Sequence, residues 1–493
     1  MSFCGQTEVR RKLAGLATCL LFSFLVLVFL FADVRPASAL PSPSIKVNAI
    51  PAFARKYGMP CSSCHEAWPK LSPFGQAFKD NGYQMGNDRD APIFQAPAYW
   101  PVTFRITPTW HRESQNRRQV DDPTSTTGGQ TEAKVTTHGF DWSGLDFHTG
   151  GTLAKNFSFY VLPSSDSTAS FHFESVWARV DNILGSSWLN IKLGKFELDN
   201  LLSEKRILTL TNVAGTYANY HFQPLVSPGN PGAPGAVGES FYTFGLGDNQ
   251  VGLEWMGHSK DDRTRVSAAV LNSNDGQPNF TSGNGSGSIP TGRGYNGYFA
   301  ASQAFELGSF GLQRVGAFAY IGQAPTFPQY TEGGAPLVGT SIGNKSFYRD
   351  GLIGMWFVHK LNVTTMFFHG WDSAFLGSNT AANATGGLAA SGARAPTWNG
   401  ALFETIYDVS PQLILLNRYE MIRMSRQVFA TNPANFGNED VLTFGWRYYP
   451  FISSRAGFAF HNEYAILRQR GASPVNGLDL TTSSLLVGFD FAF

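Results

Sequence analysis

From Tyr99 onward the chain repeats one pattern: segments of about ten residues in which apolar positions alternate with small or polar ones, with Phe, Tyr and Trp recurring in the apolar set. Examples run over 102–110, 189–198, 250–257, 311–321, 352–359, 363–371, 413–422 and 441–449. Side chains of an extended strand point alternately to its two faces, so each segment predicts a strand with one apolar face. About sixteen segments of this kind follow one another, and an even number of antiparallel strands is what a closed bacterial outer-membrane barrel requires. The last residues repeat the pattern: Leu485, Val487, Phe489, Phe491 and Phe493 alternate with Leu486, Gly488, Asp490 and Ala492. A soluble edge strand ending this way would expose a row prone to aggregation, whereas a strand between lipid and lumen would not.

The connections carry independent information. Short links fall near 154–156, 258–262, 306–308, 359–360, 408–410 and 450–454. The links between them are long and rich in Gly, Asn, Ser, Pro and Thr, as in 272–294, 322–345, 373–396 and 425–439. One end of the predicted barrel therefore has tight turns and the other long loops, the asymmetry of periplasmic turns and extracellular loops. Residues 199–249, with the Pro/Gly-rich run 228–238, depart from the strand pattern. They read either as an external loop dipping into the lumen or as a mobile surface loop.

Upstream of the strands the pattern changes to a helical one. Ser72 and Pro73 read as N-cap and first helical position, Phe74 and Phe78 fall four apart on one face, and Gly82 follows the last turn. Residues 40–97 thus predict a small α-helical domain, in which Phe74, Ala77 and Phe78 face either an ordinary core or a cofactor that serves as the core. Ahead of this, Arg10, Arg11 and Lys12 precede an apolar run from Leu13 to Phe31, and Ala37-Ser38-Ala39 follows. This is the order of a secretory signal peptide cleaved before Leu40; an uncleaved anchor is the alternative, because the run is long. The expected organisation is a signal peptide (1–39), a helical domain (40–97) and an antiparallel transmembrane barrel (98–493).

Within the helical domain lies Cys61-Ser62-Ser63-Cys64-His65, which holds the only cysteines left once Cys4 and Cys19 depart with the leader. C-x-x-C-H is the spacing for covalent haem attachment: two thiols form thioethers to the porphyrin vinyl groups, and the adjacent imidazole reaches the iron. A thioredoxin-like site lacks its βαβ surroundings here, and a zinc site lacks a second cysteine pair. One haem c per chain is expected, held by Cys61 and Cys64 with His65 as proximal ligand. Met85 is the candidate distal ligand, far enough along the chain to fold over the other haem face. A later histidine such as His111 or His138, or an open position, are the alternatives, and Met59 is too near the attachment site. Aromatic residues make up 14 % of the chain, which suits girdles at two membrane interfaces.

Charge narrows the partners. Losing four Lys/Arg and two Asp/Glu with residues 1–39 leaves 33 basic against 34 acidic residues, so no basic excess points to nucleic acid. No acid/base pair, nucleophile constellation or P-loop is recognisable, so enzymatic turnover beyond electron transfer is not indicated.

The order of leader, single CxxCH site and strand-rich region ending in phenylalanine resembles the fused cytochrome-porins, outer-membrane monohaem c-type cytochromes of iron-oxidising bacteria and their relatives. The matching stretches are Pro51-Ala52-Phe53-Ala54-Arg55-Lys56-Tyr57-Gly58-Met59-Pro60-Cys61, then Cys64-His65, Leu71-Ser72-Pro73-Phe74-Gly75 and Asn81-Gly82-Tyr83. The resemblance implies attachment through Cys61 and Cys64 and proximal ligation by His65. It also implies a place in outer-membrane lipid and oxidation of extracellular ferrous iron, with electrons passed to a periplasmic cytochrome or cupredoxin. Electron export to an external acceptor, and a diffusion porin with a tethered periplasmic cytochrome, are the alternative readings.

Overall fold

Alternation becomes a wall. The structure, a computed structural model, describes residues 53, 57, 59, 63–67, 70–85, 102–126, 128–141, 144–165, 170–198, 249–272, 295–326, 343–372, 397–424, 438–450, 458–470 and 478–492. The expected leader, the attachment residue Cys61, the anomalous connection after Leu198 and the terminal Phe493 lie outside the described residues. A short hairpin, β1 (His65–Ala67) with β2 (Lys70–Leu71), precedes helix α1 (Pro73–Asp80). The wall strands then follow: β3 (Val102–Ile106), β4 (Thr109–Asp121), β5 (Gln130–Asp141), β6 (Asp146–Ala154), β7 (Phe157–Ser165), β8 (Phe171–Val180) and β9 (Asn190–Phe196). After the long connection come β10 (Gln250–His258), β11 (Thr264–Asn272), β12 (Tyr295–Glu306), β13 (Leu312–Thr326), β14 (Gly343–Val358) and β15 (Leu361–Asp372). The last are β16 (Thr397–Asp408), β17 (Leu413–Met424), β18 (Asn438–Tyr448), β19 (Phe458–Arg470) and β20 (Leu480–Ala492).

Sixteen of these eighteen strands, β3 and β6 to β20, form a closed antiparallel barrel, as the alternation predicts. Closure runs from β20 to β3 and from β3 to β6, while β4 and β5 form a hairpin that pairs with β20 beyond β3. The segment read from sequence as one strand over 102–110 is broken at Thr107-Pro108, because proline has no N–H to give the ladder. The short links are tight turns, such as Lys155-Asn156, where Asn156 takes the positive φ (69°) that a two-residue hairpin demands.

Two faces of each strand meet different surroundings. On β12, Tyr295 and Phe299 are exposed on the outside, while Asn296, Tyr298, Ser302 and Ala304 are buried inside. Leu193, Leu253, Leu352, Phe367, Phe403 and Phe460 continue the exposed apolar surface around the ring. The inside is polar and paired: Lys192 meets Glu254 at 2.7 Å, and Arg418 bonds Glu420 at 3.0 Å and Glu404 at 3.2 Å. Buried charges persist only when partnered, so the lumen is organised by ion pairs rather than by apolar filling alone.

Of the expected helical domain over 40–97, the described residues cover only a part. The one helix described in full there has eight residues, and the contacts of Ala49–Phe493 make a single compact unit. The helix meets inward side chains of the barrel as well as Phe53 and Tyr57.

Candidate functional site

Ser72 organises the motif region. Its Oγ accepts the Gly75 N–H at 3.1 Å, capping α1, and donates to the Ser63 carbonyl at 2.9 Å. Its own N–H donates to the Cys64 carbonyl at 2.9 Å. Pro73 supplies the pre-set φ of the first helical position, as the sequence predicts. The far end closes as a Schellman motif: Gly82 has φ 69°, its N–H bonds the Lys79 carbonyl at 3.0 Å, and the Tyr83 N–H bonds the Phe78 carbonyl at 2.9 Å. Gly75 lies flat against the motif, since a Cβ there would stand 1.9 Å from the Cys64 carbonyl oxygen. His65 follows in β1, opposite Leu71, and Cys64 is not in a disulfide.

This segment sits inside the lumen, fastened to opposite sides of the ring. On one side the Lys70 ammonium, 1 % exposed, donates to Glu404 and Thr364, each at 3.0 Å, and to Asn362 at 3.4 Å. These partners project inward from β15 and β16. On the other side the Asp80 carboxylate pairs with Arg265 of β11, and its backbone carbonyl accepts from Arg179 of β8. Arg179 is itself held by Asp181 at 2.6 Å, and Lys79 meets Glu197 at 2.7 Å. Aromatic rings fill the space between: Tyr83 stacks on Phe53 (4.8 Å) and Trp177 (5.8 Å), and its ring centre is 5.2 Å from Tyr160.

A cavity of about 240 Å³ opens between one face of α1 and the β10–β11 turn. Phe74, Ala77, Phe78 and Met85 line it from the helix side, and His258 lines it from the wall. The spacing of Phe74, Ala77 and Phe78 thus predicts a shared face correctly, though Phe78 also packs edge-on against Phe53 and Tyr57. At the turn, hydrogen bonds from the Ser259 hydroxyl and the Arg263 N–H hold the Asp261 carboxyl below its ordinary range. His65, Cys64 and Gly75 are not among the lining residues.

The other histidines weighed from sequence lie elsewhere. His111 is on β4 with Nε2 2.6 Å from the Ser484 hydroxyl, and His138 is exposed on β5 beside Trp110. Both belong to the β4–β5 hairpin, which spacing along the chain could not reveal. Lys70, Asp80 and His258 are missed by sequence reasoning. Of these, only His258 enters the sequence reading, at the start of the short link 258–262.

Cys64 and His65 stand at the head of the segment and have the thiol and imidazole that haem c uses, while Met85 and His258 line the cavity beside α1. No family model and no curated protein matches the chain. Among solved structures it is similar to an anion-selective porin from Comamonas acidovorans, at 10 % identity and TM-score 0.46, covering 80 % of this chain and 98 % of that one. The outer membrane channel DcaP of Acinetobacter baumannii gives 11 % and 0.46, covering 82 % and 100 %. OprB of Pseudomonas putida gives 10 % and 0.46, covering 87 % and 99 %.

Proposed function

We propose that this chain spans the outer membrane as a porin-like barrel whose lumen is closed by residues 63–85, and that it transfers electrons through one haem c held there. The observation that carries the reading is the fastening of the motif segment between Glu404 on one wall and Arg265 and Arg179 on the other. A tethered periplasmic cytochrome would need none of these buried partners. Bound haem supplies a one-electron iron couple. Cys61 and Cys64 are the attachment thiols, and His65 is the proximal ligand. Phe74 and Ala77 offer an apolar wall that limits water, a condition that helps set the potential. The cavity lies at the end with tight turns, the periplasmic end in outer-membrane barrels, so a soluble periplasmic cytochrome or cupredoxin is the natural acceptor. Ferrous iron at the outer face is the proposed donor, on the strength of the family resemblance.

The ring itself supports a second reading. Sixteen strands enclose more space than their own side chains fill, so the barrel itself supports a diffusion porin with a tethered periplasmic cytochrome more directly than it supports electron transfer. Two measurements test the proposal. The mature protein should carry one haem that resists acid-acetone extraction and gives a c-type pyridine haemochrome; zinc, or extractable haem, contradicts it. In planar bilayers the intact protein should pass no steady porin-like current, and an open-channel conductance favours the porin reading.

The membrane assignment makes its own prediction. Leu352 is 61 % exposed on the outer face of β14. Leu352→Arg should cost about 2–4 kcal/mol if it lies near the bilayer midplane, measured as urea unfolding from lipid vesicles. A barrel equally stable with arginine there would not be facing lipid.

A further inference from the structure

We infer that the outward face of β17–β19, at the long-loop end of the barrel, binds the phosphorylated headgroup of lipid A in the outer leaflet. The inference goes beyond the haem reading and rests only on the placement of the barrel in the outer membrane. Strand parity fixes which side chains face outward. On β17 Leu415 and Tyr419 are exposed while Arg418 and Glu420 are buried inside, so Arg423, in step with Tyr419, lies on the outside. On β19 Arg468 and Arg470 keep step with the exposed Phe460 and Tyr464, against the buried His461 and Glu463. On β18 Asp440 keeps step with the exposed Trp446 and Tyr448. The outward face therefore changes from aromatic and aliphatic residues to arginine as β17 and β19 approach their loop ends at Met424 and Arg470. An arginine on the lipid face is costly at the bilayer midplane and tolerated near an interface, so these heads belong at the level of the headgroups.

The arginine heads are held in two neighbouring groups. Asp440 accepts from Arg423 Nη2 at 2.5 Å, the Tyr419 hydroxyl at 2.8 Å and Arg470 Nη2 at 3.1 Å. Arg423 Nη1 also donates to the Ile422 and Glu439 carbonyls, at 2.9 and 2.6 Å. Arg468 stands opposite Asp440 in the ladder, and its Nε and Nη2 donate to Asp479 at 3.0 and 2.5 Å. Asn116 of β4 fixes the Asp479 backbone by donating to its carbonyl at 3.4 Å. Three guanidiniums thus share two carboxylates, and among the described residues one positive charge of the group is left over. The side chains of Arg468 and Arg470 remain 55 % and 48 % exposed. Phosphate oxygens match the planar N–H fork of arginine and complete this charge balance. Next to the heads, Met421, Tyr464 and Ile466 continue the outward face as an apolar surface for acyl chains. A ligand with phosphate set beside acyl chains fits both parts. Two groups of arginine suit a headgroup with two phosphates, as lipid A has, better than a glycerophospholipid with one.

The test uses full-length protein in detergent, delipidated, with folded barrels selected by heat-modifiable migration. It is titrated with lipid A, with lipid A stripped of both phosphates, or with phosphatidylglycerol, and bound lipid is counted by native mass spectrometry. The wild type should hold one lipid A, with the other two lipids roughly tenfold weaker. Arg423→Gln/Arg470→Gln should weaken lipid A by about tenfold and leave the migration of the folded barrel unchanged. Arg263→Gln, which removes an exposed arginine paired with Glu306 at the opposite end, should bind lipid A as the wild type does. The assignment is overturned if dephosphorylated lipid A or phosphatidylglycerol binds the wild type as tightly as lipid A, or if Arg263→Gln weakens binding as much as the double change. The comparison of lipids on the wild type decides the matter even if the double variant fails to fold. A wild type that holds no lipid A, in a barrel that Leu352→Arg destabilises as expected, overturns this site and leaves the membrane placement standing. A barrel indifferent to Leu352→Arg overturns the placement itself.

Discussion

Lys70→Met is expected to open the barrel to ions. The ammonium is 1 % exposed and is shared by Glu404, Thr364 and Asn362, so its removal detaches the plug from β15 and β16 and leaves Glu404 with Arg418 as its cation among the described residues. Breaking a buried pair from one side costs about 3–5 kcal/mol, more than the roughly 0–1 kcal/mol of a surface salt bridge. The Asp80 contacts to Arg265 and Arg179 hold the other end, so the plug should pivot rather than leave. Planar-bilayer recording should show a current absent from the wild type, with a lowered urea midpoint. Lys70→Met/Glu404→Gln should destabilise by less than the sum of the single changes, because no carboxylate is then left short of a cation. Wild-type conductance and an unchanged midpoint in Lys70→Met would mean that Lys70 does not fasten the plug.

Gly75→Ala is expected to prevent haem attachment and to destabilise the plug, against the direction that helix propensity predicts. Alanine in a helix interior is favoured over glycine by about 1 kcal/mol. Here the added Cβ would lie 1.9 Å from the Cys64 carbonyl oxygen and 2.8 Å from its carbon, both backbone atoms, so no side chain can swing aside. Relief requires separating the motif from α1, which also breaks the hydrogen bonds that Ser72 makes to Ser63 and Cys64. Overpacking at a close contact costs about 1–3 kcal/mol, and each lost hydrogen bond adds about 1 kcal/mol, so steric cost exceeds propensity gain. The check is the ratio of haem to protein in matured samples, with Ala77→Gly in the same helix as the control for propensity alone. A full haem complement in Gly75→Ala would show that the motif does not need this contact.

The barrel was legible because its cause is local. A strand between lipid and a polar lumen must alternate, and that rule leaves its mark on every segment, from the outward Tyr295 and Phe299 to the inward Asn296 and Ser302. Turn lengths carried the polarity of the two ends for the same reason. Helix α1 was equally plain, since Ser72, Pro73 and Gly82 each act on neighbouring backbone groups. The CxxCH spacing is likewise local, since it lies within five consecutive residues.

The partners of that motif were not legible, because they are set by closure. Lys70 meets Glu404 across 334 positions of chain, and nothing in a charged residue before a short helix tells that it will be buried. His258 reads as the edge of a turn until β10 and β11 bring it over α1, whereas His111 and His138 are carried away on a hairpin created by the break at Pro108. Sequence by itself determined the alternating strands, the turn polarity and the capped helix, all of which act within a few residues. Only the tertiary structure decided which wall residues meet the helix, because ring closure alone brings distant strands to a common centre.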